Sequence, residues 1–369
     1  MRGRAAVAAI GALLAAAGAA AAGADGASKR PKWSTRVLAL VPPPGFPART
    51  YVAPDRRIYE GTYENPSGSP LPSRVLEYTG RGTLLRSWTV PGQNRAANHG
   101  VQVATSDSRG RLVLLDANPA RALLLNLRNG RFRRYSTFAD LAPCPPATTG
   151  RRCSPTLADA PPAPDYAAWG PHGSLYVTDY LQGVIWRVPP GGGKARVWLA
   201  DRRLDGAQFG TTGIVRRPGT RRLLVAQQSS GGGGDGDPTT GKLYSVGIRR
   251  SGRPGPLRQL WESAPLDGPD GFAVARSGHI YIALAGSNQL AEVSATGAEL
   301  DRFPASPLGG DNGSSVPFDT PSSAMFLGRR LIVANQSYFA GTAANQAILD
   351  VFVGERGAPE AIPRRAGRR

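Results

Sequence analysis

Short apolar runs separated by polar turns recur along this chain, and no window sustains a 3.6-residue periodicity. In "GPDGFAVARSGHIYIALAG", Gly268 to Gly286, the runs Phe272 to Ala275 and Ile280 to Leu284 flank a turn at Ser277 and Gly278. Each run is too short for a helix and is bounded by turn residues, so the pair reads as a β-hairpin. Five similar segments occur: "FPARTYVAPDRRIYEGT", "NHGVQVATSDSRGRLVLLD", "PDYAAWGPHGSLYVTD", "GTTGIVRRPGTRRLLVAQ" and "PSSAMFLGRRLIVAN". Anchored at Pro47, His99, Pro164, Thr212, Pro269 and Pro321, they follow one another at 52, 65, 48, 57 and 52 residues. That is the period of a propeller blade. The longest interval holds "CPPATTGRRC" and "DAPPAPD", an insertion within the array.

Each hairpin is followed by a third strand, as in "ALLLNL", "GVIWRV" and "QLAEV", and then by a turn such as Asn129-Gly130 leading to a fourth. The predicted fold is therefore all-β: a six-bladed β-propeller of four-stranded blades over residues 35–353. The last blade lacks a fourth strand after "AILDVFV", whereas "TRVLALV", Thr35 to Val41, stands unpaired before the first hairpin. Pairing this N-terminal strand with the last blade closes the ring and leaves no free sheet edge.

The N-terminus changes the picture of where such a propeller works. Arg2 and Arg4 precede an uncharged run from Ala5 to Gly23 and small residues at Ala20, Ala22 and Ala24, the layout of a signal peptide over residues 1–24. A secreted or extracytoplasmic chain is expected, with no integral membrane segment once it is mature. Export suits the two cysteines, Cys144 and Cys153, which are predicted to join as a disulfide across a small loop. The net charge is +19, and four lysines among 45 basic residues leave 41 arginines, scattered in ones and twos. Nucleic-acid binding requires such charge to gather on one element, so no nucleic-acid partner is expected. The basic tail, residues 354–369, is read as disordered, and the chain as a monomer acting on a small molecule.

Candidate chemistry follows from the ring. Residues entering the innermost strands converge on the central channel, and the hairpin alignment puts Ala48, His99, Asp165, Thr212, Asp270 and Ser322 at its mouth. Asp165, Thr212 and Asp270 form an oxygen-rich set suited to a divalent cation, with calcium the first choice. Asp270 is also placed to serve as a general base. Ordinary turn chemistry, an Asp bonded to nearby backbone N–H groups, is the competing explanation for either aspartate. His99, Asn98 and Arg49 are candidate substrate contacts, and Arg49 is also the rival of a cation for the two aspartates. Glu60 and Glu64 lie past the second strand of blade one and carry little weight.

The run "PDYAAWGPHGSLYVTD…GTTGIVRRPGTRRLLVA…GPDGFAVARSGHIYIA" resembles the senescence-marker-protein/gluconolactonase/LRE-like family of six-bladed propellers, from about Thr35 to Val353. The resemblance implies metal-dependent hydrolysis of sugar lactones, with a divalent ion held by a Glu of the first blade, an Asn of the third, an Asn of the fourth and an Asp of the fifth. Asp270 matches the last of these in its Pro-Asp-Gly setting, and Asp165 stands at the third-blade position. Thr212 replaces the fourth-blade Asn, and Ala48-Arg49 stands where the Glu is expected. A noncatalytic extracellular propeller, binding a small ligand or a protein at its face, is the alternative.

Overall fold

The computed structural model describes residues 30–367, apart from 44, 64–67, 146–151, 157, 208 and 231–235. The predicted signal peptide and Glu64 lie outside the described residues. Within them the inner strands of six blades are Phe46–Val52, Val101–Ser106, Pro164–Trp169, Thr211–Arg216, Pro269–Val274 and Pro321–Leu327. Each opens a four-stranded antiparallel meander, as the hairpin repeat predicts. A two-residue strand, Gly193–Lys194, also pairs in parallel with the outer strand of blade two, linking neighbouring blades.

Strand side chains point alternately to the two faces of a sheet, and here both faces are buried. In the second strand of blade two, Leu112 and Leu114 pack against blade one, while Val113 and Leu115 pack against blade three. The same division puts Ile332 against blade one and Leu331 with Val333 against blade five. Strands such as "LVLLD" therefore read as continuous apolar runs rather than alternating ones. The core consists of six such inter-blade clusters, filled by large groups including Trp169, Trp186, Tyr176 and Tyr281.

Closure occurs as predicted. Thr35–Leu40 is the fourth strand of the last blade, with Thr35 opposite Val351 and Leu40 opposite Ala347 on Ala347–Phe352. Just before it, Trp33 enters the cluster between blades five and six, and its indole N–H donates to Asp301 at 2.8 Å. Cys144 and Cys153 are joined as a disulfide, with their Cα atoms 4.9 Å apart.

The C-terminal segment departs from the expectation of disorder. Gly357 bridges Ala275, the Ala358 N–H donates to Val274 at 2.9 Å, and the Ser108 N–H donates to Ala366 at 3.3 Å. Ala366 is fully buried in the cluster between blades two and three. The segment thus straps the hairpin-turn side of the disc from blade five to blade two. Its composition hides this, because backbone hydrogen bonds and two apolar side chains, Ile362 and Ala366, share the holding with the Glu355 and Glu360 carboxylates.

Removing residues up to Val41 should lower the thermal midpoint by about 10 °C or more, because Ala347–Phe352 becomes an exposed edge and Trp33 leaves its core. An unchanged midpoint in scanning calorimetry would show that the ring closes without this strand.

Candidate functional site at the channel mouth

Strand register defines which residues stand at the mouth. The equivalent cross-strand pairs at the mouth of the six hairpins are Pro47 with Thr62, Val101 with Asp116, Pro164 with Asp179, Thr211 with Gln227, Pro269 with Leu284 and Pro321 with Asn335. One residue further along each inner strand come Ala48, Gln102, Asp165, Thr212, Asp270 and Ser322. In every blade except the second, the register slips immediately past this pair. Such bulges re-aim side chains at the rims of closed sheets.

Gln102, not His99, is therefore the second-blade residue. His99 precedes the strand by two residues, and its ring nitrogens face the carbonyls of Leu71 at 2.7 Å and Ala97 at 3.1 Å. Asn98 is exposed on the same loop. Aligning the segments on their second strands, "LVLLD" with "LYVTD", would have placed Gln102 opposite Asp165; the turn before the strand was a poor anchor because its length varies. Gln102 donates from Nε2 to the Asp165 carboxylate and leaves its own buried Oε1 without a partner. Thr212 is fully buried, and its hydroxyl donates to the Pro269 carbonyl at 3.1 Å. It ties blade four to blade five.

Asp165 and Asp270 are brought together. Burial pushes the Asp165 carboxyl up to about 7, against the opposing pull of the Gln102 amide and the Arg49 guanidinium. Asp270, partly buried, is pushed well above the usual carboxylate range by desolvation and then by the charge of Asp165. Two carboxylates in one water-poor site resist double ionisation. Arg49 supplies a partial remedy. Its guanidinium stacks 4.3 Å from the centre of the Tyr166 ring, while burial lowers its own pKa and one terminal nitrogen, Nη1, finds no acceptor.

Glu60, given little weight in the sequence, is completely buried beside Arg49. It accepts from the Arg49 N–H at 2.9 Å and from the Thr50 hydroxyl, and burial raises its carboxyl to about 8. It shapes the bulge of blade one and is occupied by backbone. An acid in the middle of an otherwise apolar strand, "IYEGTY", was the available signal. Around the aspartates lies an aromatic collar that no sequence motif marks. Tyr166 donates to the Ser322 carbonyl at 2.7 Å, Tyr63 stacks on Phe46, and Tyr180 stacks on Phe209 with ring centres 4.9 Å apart. Desolvation and both aspartates push the Tyr180 and Tyr63 hydroxyls up.

The donors present fit a hard divalent cation: two carboxylates and an unpartnered amide oxygen, from blades two, three and five. Arg49 opposes it electrostatically, and the Thr212 hydroxyl is already engaged with the Pro269 carbonyl. A second group of possible ligands, His279, Glu292 and Glu355, lies elsewhere. There the His279 Nδ1 is 2.9 Å from Glu292 and 2.7 Å from Glu355, and the Lys32 ammonium is 2.5 Å from Glu292. The Lys32 ammonium and the His279 ring already engage these acids, so the cluster clasps the N-terminal segment and the tail to blade five.

The pair at the mouth has a pH signature. A carboxyl whose pKa is higher in the fold than in the unfolded chain favours the fold while protonated, so this contribution is complete below about pH 4 and is lost as pH rises through about 7. Asp165→Asn remains neutral and should unfold at higher urea than the natural chain at pH 8 with chelator present, by about 1–4 kcal/mol. The gap should close towards pH 4. A gap independent of pH would show that this carboxyl does not titrate in that range.

Neither a protein-family model nor a curated protein matches the chain. Solved structures do. The calcium-binding protein regucalcin from Agrobacterium tumefaciens aligns with a TM-score of 0.58 and 14% identity over 89% of this chain and 98% of its own. A gluconolactonase from Xanthomonas campestris gives 0.54 and 15% over 84% and 86%, and a luciferin-regenerating enzyme 0.55 and 12% over 86% and 95%. At such identities the likeness establishes the fold, and the structural neighbours of this six-bladed propeller are gluconolactonase, regucalcin and luciferin-regenerating enzyme propellers.

Proposed function

We propose that the protein is an extracytoplasmic, lactonase-like hydrolase that opens a sugar lactone or similar small ester at the Asp165–Asp270 mouth. The observation that carries this reading is the pair itself: two carboxylates from blades three and five, desolvated and electrostatically linked, beside an orphaned amide oxygen. Its neighbours in fold include a gluconolactonase and a calcium-binding propeller. The disulfide supports an oxidising compartment.

Asp165, Asp270 and the Oε1 of Gln102 would hold a divalent cation, calcium being the hard ion such oxygens favour, and the ion would polarise the ester carbonyl. The tyrosine collar receives the ring of the substrate, since flat amphipathic rings stack against apolar faces and keep their hydroxyls for hydrogen bonds. Asp270 accepts the proton of the attacking water as the water oxygen bonds to the carbonyl carbon. Arg49 donates to the oxygen on which negative charge develops. Asp270 then returns the proton to the departing ring oxygen as its bond to carbon breaks, leaving a hydroxy acid.

Asp270→Ala should lower hydrolysis of a lactone panel by about 100-fold or more and abolish calcium binding in calorimetry. Arg49→Glu should tighten calcium binding by removing the competing charge. The specific observation favouring the second reading is the stacked, desolvated Arg49. Absence of calcium binding and of lactone hydrolysis in the natural chain, with binding gained in Arg49→Glu, would decide for a noncatalytic propeller in which Arg49 neutralises the aspartates.

A further inference from the structure

The arginines that look scattered in the sequence gather at the end of the channel opposite the aspartates. Because the fold repeats, a residue type recurring in the turn between first and second strands returns to the same side of the disc in every blade. Arg56, Arg276 and Arg329 occupy three of these turns, Arg216 ends an inner strand beside a fourth, and Arg356 arrives on the strap. All five, with Arg49 at the deep end, line one cavity of about 740 Å³. That volume is the size of a single small-molecule site.

Six arginines meet a single acid in this basin. Glu360 is the one acid among its lining residues, and its carboxylate is engaged by the Tyr51 hydroxyl at 3.0 Å and the Thr105 hydroxyl at 2.5 Å. None of the six arginines pairs with a described carboxylate within 4.0 Å; Arg216 donates to the Ala361 carbonyl and Arg329 to that of Gly354, both at 3.3 Å. Partial burial and the nearby Arg221 lower the Arg216 pKa, a cost that a bound anion would relieve. Between the rim and the deep end the wall is apolar, formed by Val52, Phe272, Val274, Met325 and Leu327.

We propose that this basin binds a small anionic amphiphile, its carboxylate, sulfate or phosphate head among the rim arginines and its apolar body against the channel wall. Arginine suits such heads because its planar fork meets two oxygens at once. The depth of the cavity and its apolar wall favour a small molecule over an extended polyanion, which would use the rim alone. The site opens at the end of the channel opposite the hydrolytic mouth and shares Arg49 and Tyr166 with it.

Calorimetry on the full chain with decyl phosphate, decyl glucoside and inorganic phosphate tests this. Decyl phosphate should bind saturably at one site and more weakly as salt rises, while the other two should bind about tenfold more weakly or worse. The triple variant Arg216→Glu, Arg276→Glu, Arg329→Glu should lose about tenfold or more. Should the triple variant fail to fold, Arg276→Glu alone, at an exposed turn position, should show a smaller loss in the same direction. Equal affinity for decyl glucoside would remove the arginines from recognition, and equal affinity for inorganic phosphate would remove the apolar wall. Undiminished binding by the variants would also overturn the proposal. So would binding to phosphatidylglycerol vesicles without saturable binding of monomeric decyl phosphate, which would make this face a membrane-docking surface instead.

Discussion

Every blade is apolar on both faces, and a sheet of that kind is stable only when another sheet covers each side. This demand makes the pairing of Thr35–Leu40 with Ala347–Phe352 the contact on which the other contacts rest. With the ring closed, each blade lends one face to each neighbour and the six clusters form a continuous belt. Opened at one seam, the chain would expose two such faces together with an unpaired strand edge. The same geometry dictates where chemistry can occur. Blade faces are spent on packing and outer strands on solvent, so side chains from distant parts of the sequence meet at the two ends of the channel.

At those ends the rules that stabilise the rest are broken. Asp165 and Glu60 are buried acids with carboxyls raised to about 7 and about 8, and Arg49 is a buried base whose guanidinium is destabilised by the same desolvation. Replacing them by apolar residues of similar size would relieve that cost, since paired buried charges commonly contribute less than good packing. The register shift just past the mouth pair in five of six blades falls at the same end. Elsewhere buried acids such as Asp116, Asp267 and Asp350 are paired with arginines, and that contrast marks the site.

The fold was legible because its signals are local and repeated: hairpins in phase, a turn such as Asn129-Gly130, one orphan strand at the N-terminus and one incomplete blade at the other. The site was legible only where a residue type and a repeat position coincided, as at Asp165 and Asp270. His99 was placed at the mouth from a turn of variable length, and register moved the position to Gln102. Thr212 occupies the expected position but spends its hydroxyl on Pro269, a choice of rotamer and partner that no repeat encodes. The strap was hidden for a related reason: backbone hydrogen bonds are nearly silent in composition, and "PRRAGRR" reads as a solvated charge run.

The arginines show the reverse error, in which a distribution was judged along the chain although the fold wraps the chain around an axis. Residues some 50 apart become neighbours when the repeat is close to 50, so even spacing in sequence is how a repeat protein concentrates charge. The two ends of the channel acquire opposite character by this route, acidic where strands enter and basic where hairpins turn. Arg49 lies between them, within electrostatic reach of Asp165 on one side and of Glu360 on the other, its charge spread over the Tyr166 ring. A guanidinium so placed cannot be neutralised by one end without withdrawing its field from the other. The acid pair and the arginine basin therefore share a single buried charge, although the ring gives them separate openings to solvent.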